Sequence, residues 1–220
     1  MVSEQLGEAE EASARYGVGR LLTLVDGVFA ISMTLLALDV RIPDTIPDTS
    51  AGFADAVRPL LGRMGVFVAA FVITSRFWLI NHRYFAGLRR VDRGLLQRSI
   101  LFLAAITTLP VATGVLFRYG AVPGAVTFAA VVLALTSALS GRLGWYVSSP
   151  VRDLATVDAE DRRRGLLRTV LVVVVYLLAI PIAYAVPPRA VAYAPLVWFL
   201  LAVVDRASAW LTARLPAVHI

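Results

Sequence analysis

The sequence predicts an all-α polytopic membrane protein with six transmembrane helices. Of its 220 residues, 59% are hydrophobic and 16% are charged, and the mean hydropathy is +0.76. Soluble domains typically contain about 45–50% apolar and about 25% charged residues. Long runs without an ionisable side chain recur along the chain. The first of these runs, from Gly27 to Leu38, lies in an apolar segment of about 20 residues, which is the length that a membrane helix needs.

Hydropathy divides the chain into six candidate spans, at roughly residues 20–40, 58–81, 99–117, 121–141, 166–186 and 190–212. Three prolines fall inside these spans, at Pro110, Pro181 and Pro195. A helical bundle tolerates them when neighbouring groups satisfy the carbonyl oxygens that they leave free. We therefore expect an N-terminal cytoplasmic segment at 1–17, a transmembrane domain at 18–212 and a cytoplasmic tail at 213–220.

The distribution of arginine predicts the orientation in the membrane. The net charge is +6 and all 21 basic side chains are arginines. Five of them lie in the connection at 82–98 and six in the connection at 142–168, whereas the alternate connections carry one or two. Because cytoplasmic loops are enriched in arginine and lysine, we expect these two connections and both termini to face the cytoplasm. This placement argues against nucleic acid as a partner.

The connection at 39–58 is the only sizeable external segment in this topology. It is acidic and irregular because it contains prolines, a glycine and four aspartates, Asp39, Asp44, Asp48 and Asp55. One interpretation is a vestibule that attracts cations. The other is a solvated loop that simply follows the charge rule for orientation.

No catalytic or metal-binding pattern is present in the sequence. The chain has no cysteine and only two histidines, His82 and His219. It contains no HExxH motif, no P-loop and no spaced set of metal ligands. We therefore expect neither an enzyme nor a protein with a bound metal or cofactor.

Polar side chains at membrane depth are the main candidates for function. Arg20 and Asp26 flank the start of the first span, and Trp78 and His82 lie near the end of the second. Both pairs lie towards the cytoplasmic side in the predicted topology, so they can meet. One interpretation is a satisfied polar network that holds the helices. The alternative is anchoring at the membrane surface, where tryptophan and arginine are common.

The same residues carry a resemblance to a known family. Arg20, Asp26 and the following GVFAISMTLLALDV resemble the first-helix signature of the transmembrane protein 175 family of potassium channels, R-x-x-x-F-S-D. Trp78 and His82 match the family's W-x-x-x-H element, and Leu109-Pro110 matches its leucine-proline element. The chain departs at positions 24 and 25, where it has Leu-Val in place of Phe-Ser.

The resemblance implies a homotetramer in which the first helix of each subunit lines a central pore. Ile31 then corresponds to the hydrophobic constriction, Leu35 and Leu38 continue the stripe, and Thr34 adds a polar layer. From the residues alone, this apolar spacing is equally typical of any buried helix. The resemblance further implies a bacterial inner-membrane channel that passes K⁺, with other monovalent cations as weaker permeants. The lipid bilayer and further copies of the chain would be its partners.

The alternative function is a secondary transporter or a membrane scaffold that uses Arg20, Asp26 and His82. A transporter would be expected to show internal repeats and interrupted spans around a central site. No convincing repeat relates residues 1–117 to 118–220, and the middle of the first span carries no charge.

Overall fold

The computed structural model describes residues 2–40, 49–152, 154–155 and 158–214, and this part of the chain consists of helices joined by short connections, without strands. The seven α-helices are α1 Val2–Leu35, α2 Ser50–Phe85, α3 Arg93–Thr107, α4 Leu109–Tyr119, α5 Pro123–Val147, α6 Ala159–Ala185 and α7 Leu201–Arg214. Two 3₁₀ segments, Leu36–Asp39 and Pro188–Leu200, precede the acidic connection and α7. Because α1 begins at Val2, it runs across the expected domain boundary between residues 17 and 18.

Five helical segments of the described chain are long and apolar enough to cross a bilayer: Tyr16–Leu38, Ser50–Phe85, Arg93–Tyr119, Pro123–Val147 and Ala159–Ala185. They coincide with the first five spans that the sequence predicts, and the protein is an integral membrane protein. The sixth predicted span, 190–212, is divided between the 3₁₀ segment Pro188–Leu200 and α7. Pro188 and Pro195 lie within that 3₁₀ segment, and each lacks the backbone N–H that a regular α-helix uses.

Proline also explains the break inside the third span. Helix α3 ends at Thr107, and α4 starts at Leu109 with Pro110 in its first turn. The Thr108 N–H donates a hydrogen bond to the Ala105 carbonyl at 3.2 Å, so α3 ends in a tighter, 3₁₀-type turn. Pro181, in contrast, lies inside α6 without ending it.

Helix α5 forms the centre of the bundle and contacts α2, α3, α4 and α6. Small side chains make up much of its buried face, including Ala130, Ser137, Gly141 and Gly144. A Cβ atom at Gly141 would overlap Thr169 of α6, and one at Gly144 would overlap the ring of Tyr84 of α2. Small residues of this kind let membrane helices approach closely, so α5 fixes the positions of its neighbours.

Aromatic contacts hold the first helix against α2 and α3. The Phe29 ring lies 6.0 Å from the Phe102 ring, and the Phe77 ring lies 6.4 Å from Phe102 on another side. All three side chains are buried, with Leu21 and Val25 of α1 in the same cluster. Between Tyr16 and Leu35, where side-chain burial is described, only one face of α1 is therefore covered within its own chain.

The two arginine-rich connections meet at one end of the bundle. The Arg89 N–H donates to the Leu154 carbonyl at 2.9 Å. The Tyr146 hydroxyl donates to Asp92 at 2.8 Å and accepts from Arg152 at 2.9 Å. Both connections therefore lie on the same side, as the predicted alternation of the spans requires. Residues 41–48 of the acidic connection, including Asp44 and Asp48, lie outside the described residues, as do positions 215–220, whereas its last nine residues, from Ser50, already belong to α2 and are not irregular.

Candidate functional site

A hydrogen bond joins α1 to α2 at the polar edge of the first span. Trp78 Nε1 donates to Asp26 Oδ1 at 2.8 Å. The Trp78 indole in turn stacks on the His82 imidazole, with ring centroids 5.4 Å apart and planes inclined by 24°. Positions 78 and 82 are one turn apart on α2, which places the two rings on the same helix face. Three of the four polar residues that the sequence singles out are thus brought together.

The structure places Arg20 apart from this group. Its guanidinium lies 5.8 Å from the centre of the Tyr16 ring on α1 itself. Helix geometry accounts for the separation, because six residues rotate a side chain by about 240° beyond one full turn and advance it by about 9 Å. Arg20 and Asp26 of one chain therefore face different directions. Sequence reasoning missed Tyr16, although its spacing of four residues from Arg20 indicates a neighbour on the same face.

The predicted constriction residues form an exposed apolar stripe that runs from the end of α1, at Ile31 and Leu35, into the 3₁₀ segment Leu36–Asp39, at Leu38. Ile31 is 61% exposed, Leu35 41% and Leu38 62%, whereas Phe29 and Leu36 on the opposite side are 1% exposed. Ile31 and Leu35 are four residues apart on one face of α1, and Leu38 follows Leu35 by three residues, the spacing that aligns side chains in a 3₁₀ helix. The stripe is therefore not part of the core of its own chain.

Thr34 lies beside this stripe and is exposed. Its hydroxyl donates to the Ile31 carbonyl at 2.8 Å, within the helix. A hydroxyl that donates its proton in this way still has oxygen lone pairs that accept hydrogen bonds or contact a cation. Thr34 can therefore offer a weak oxygen ligand next to the apolar side chains.

Three buried polar side chains on α1, α2 and α3 have atoms without a hydrogen-bond partner in the described part of the chain. They are Ser32, Ser99 and Asn81, whose amide nitrogen and oxygen are both unpaired. Each is 1% exposed. Buried polar groups usually find a partner, and ordered water supplies it in many proteins. Sequence reasoning did not select Ser32 or Ser99 because a single serine in an apolar run carries little signal.

Among the residues that the structure describes, no group of three His, Asp or Glu side chains is arranged to hold a metal ion. The described site therefore consists of one interhelical hydrogen bond, an aromatic stack and an apolar stripe with a threonine beside it.

Comparison with known proteins identifies relatives over much of the chain. The family model for the endosomal/lysosomal potassium channel TMEM175 matches residues 20–110. A potassium channel of Streptomyces collinus is 30% identical over 179 residues, which cover 79% of this chain and 86% of the relative. A potassium channel of Chamaesiphon minutus is 29% identical over 109 residues, covering 50% of this chain and 54% of the relative.

The fold has a counterpart among solved structures. The crystal structure of a Chamaesiphon minutus homologue of the lysosomal potassium-selective channel TMEM175 aligns with a TM-score of 0.65. The alignment covers 90% of this chain and 97% of that chain at 22% identity, so it supports the fold. The region matched by the family model begins at Arg20 and ends at Pro110, and it contains all the motifs that carry the resemblance. The chain therefore belongs to the TMEM175 family of potassium channels.

Proposed function

We propose that this protein is a potassium-permeable cation channel in which α1 of each subunit lines a central conduction path. The observation that carries the proposal is the exposed stripe of Ile31, Leu35 and Leu38 on a helix whose other face is buried. An apolar stripe on a membrane helix faces lipid, another subunit or a pore. Membership in a potassium channel family favours the pore over the other two, and also over a transporter, a scaffold or an enzyme.

The proposed constriction acts through dehydration. Side chains of Ile31 from several subunits would form a ring without hydrogen-bonding groups, and such a ring raises the energy of a cation that must shed water to pass. The dehydration energy is lower for K⁺ than for Na⁺, so an apolar ring passes K⁺ more easily. We expect modest selectivity, because no ring of backbone carbonyls replaces the lost water. Thr34 hydroxyls would supply a weak polar layer beside the ring.

The polar residues of α1 and α2 have a structural role in this proposal. The bond between Asp26 and Trp78 fixes the rotation and depth of α1 relative to α2. Ile31 lies five residues beyond Asp26, which corresponds to about 7.5 Å along the helix axis. The hydrogen bond would therefore determine which α1 side chains face the path. Arg20 would complete the polar edge at the mouth of the path.

A pore of this kind requires several copies of the chain, because one subunit cannot surround a symmetric axis with its first helix. We propose a homotetramer in a bacterial inner membrane. Only 6% of the residues in the most apolar 18-residue stretch of α2 are buried within the chain, so α2 is available for subunit contacts. The purified protein should have four times the chain mass of 23.8 kDa after correction for detergent. Liposomes that contain it should release K⁺ faster than empty liposomes. A stable monomer, or vesicles that retain K⁺, would contradict the proposal.

The meeting of the arginine-rich connections supports an orientation with both termini in the cytoplasm. We expect a reporter that is active only in the cytoplasm to give signal when fused at Val2 or after Ile220. The same reporter inserted at Asp48 should be silent, because positively charged connections stay in the cytoplasm, whereas the acidic connection is moved to the other side of the membrane. Opposite signals from the two termini would mean an odd number of spans and would exclude this topology.

A further inference from the structure

A cavity of about 860 Å³ opens at the arginine-rich end of the bundle. It lies between the last turns of α2 and α5, the first turns of α6 and part of α7. This volume is in the range of about 300–1,000 Å³ that is typical of small-molecule sites. The conduction path along α1 is not part of it, because no α1 residue lines the cavity.

The wall of the cavity is predominantly basic. Four arginines line it, Arg83, Arg162, Arg164 and Arg168, against two aspartates, Asp158 and Asp161. Arg164 is already paired with two acids, since its Nη2 lies 3.3 Å from Glu160 Oε1 and its Nη1 lies 3.9 Å from Asp161 Oδ1. The other three arginines share the lining with one further acid, Asp158. Positive charge is therefore in excess, which favours an anionic ligand.

Arg162 retains unused hydrogen-bonding capacity inside this cavity. Its guanidinium lies 3.5 Å from the centre of the Trp145 ring, which holds it in place through a cation–π contact. Its Nε is buried and has no acceptor among the residues that the structure describes. A buried donor without a partner is unfavourable, so an oxygen acceptor that reaches Arg162 would be bound well. Guanidinium groups recognise phosphate oxygens particularly well because their donors match the geometry.

The position of the cavity indicates the source of the phosphate. Tyr84, Gly144 and Trp145 line it near the ends of membrane-crossing helices. Tryptophan is enriched at this depth, where lipid headgroups meet the hydrocarbon. Basic pockets between helices at the membrane surface bind the headgroups of anionic lipids.

We propose that this cavity binds the phosphate group of an anionic phospholipid, with Arg162 as the central ligand and Arg83 at the entrance. The phosphate oxygens accept hydrogen bonds from Arg162, and the acyl chains remain in the bilayer beside α2 and α6. The site is separate from the proposed constriction, and its occupation can be measured without ion flux.

The test measures lipid binding to the purified protein in a neutral detergent. Phosphatidylglycerol is titrated while the thermal unfolding temperature is recorded, because a ligand that binds only the native state raises it. Phosphatidylcholine, which has no net charge, and inorganic phosphate and glycerophosphoglycerol, which have no acyl chains, are titrated in parallel. Phosphatidylglycerol should stabilise the protein at far lower concentrations than these three compounds. Comparable stabilisation by either soluble phosphate compound, or by phosphatidylcholine, would overturn the assignment to an anionic lipid.

Two variants and a matched control locate the binding site. Arg162→Gln should weaken phosphatidylglycerol binding by about tenfold or more, since a hydrogen bond between two charged groups is lost. Arg83→Gln lies at the exposed entrance, so it should fold normally and weaken binding less. Arg142→Gln removes an exposed charge from the same end but outside the cavity lining, and should leave binding unchanged. Equal affinities of the wild type and Arg83→Gln, or an equal loss for Arg83→Gln and Arg142→Gln, would overturn the proposal even if Arg162→Gln did not fold.

Discussion

Replacement of Ile31 by asparagine should increase cation flux and weaken the preference for K⁺ over Na⁺. The amide groups would hydrate the narrowest ring of the proposed path, so a cation would lose less water there. Each reduction of the barrier by about 1.4 kcal/mol raises the rate about tenfold. We therefore expect a flux increase on the order of tenfold for Ile31→Asn, measured in liposomes that contain equal amounts of assembled protein. Leu35→Asn should have the same effect more weakly if its ring is wider.

The matched control is a similar replacement on another exposed helix face. Val174 of α6 is 53% exposed and lies outside the proposed path. Val174→Asn should leave flux and ion preference at the wild-type level in the protein that remains folded. If Ile31→Asn behaved in the same way, or lowered expression without any gain of flux, Ile31 would face lipid or a neighbouring subunit.

Loss of the Trp78 indole donor should strongly reduce the amount of assembled protein. Trp78→Phe keeps the aromatic ring but leaves the Asp26 carboxylate without its 2.8 Å hydrogen bond. A hydrogen bond to a charged group contributes about 1.5–3 kcal/mol, and an uncompensated charge at membrane depth adds to the cost. Thermal unfolding and the tetramer fraction on a sizing column measure the effect. Asp26→Asn should be milder, because its amide oxygen still accepts from Trp78.

A second tryptophan supplies the comparison for this prediction. Trp198 Nε1 donates to the Tyr176 carbonyl at 3.2 Å, so Trp198→Phe also removes one indole donor. Its acceptor is neutral, and such a bond contributes only about 0.5–1.5 kcal/mol. Trp78→Phe should therefore destabilise the protein more than Trp198→Phe. The reverse order would show that the bond between α1 and α2 is not an important constraint on the position of α1.

The membrane spans were largely predictable because hydropathy is a local property of the chain. The charge-free runs that follow Gly27 and Ser99 predict membrane helices whatever their neighbours in the bundle are. The form of the last span was less predictable, because the effect of Pro195 depends on its neighbours. Pro181, in a comparable apolar run, lies within a continuous helix, whereas Pro195 lies within a 3₁₀ segment.

The residues of the candidate site were predictable from the sequence, but the contacts between them were less so. Trp78 and Asp26 could be placed at the same depth from topology alone, and the structure joins them. The partner of Arg20 was not evident, because the proximity of Arg20 and Asp26 along the sequence suggested a contact that helix rotation prevents. The contact between Arg162 and Trp145 was not foreseen either, since it joins two helices across a connection whose path the sequence does not define.

The central claim is that cations pass along the exposed stripe of α1, and a cysteine at Ile31 tests it most directly. The chain contains no cysteine, so Ile31→Cys introduces the only thiol of each subunit. Ag⁺, a monovalent cation that binds thiols, is added to liposomes during K⁺ efflux in nitrate salts. We expect Ag⁺ to stop efflux through Ile31→Cys and to leave the wild type and Val174→Cys unaffected. Continued K⁺ efflux through Ile31→Cys in the presence of Ag⁺ would contradict a conduction path lined by Ile31.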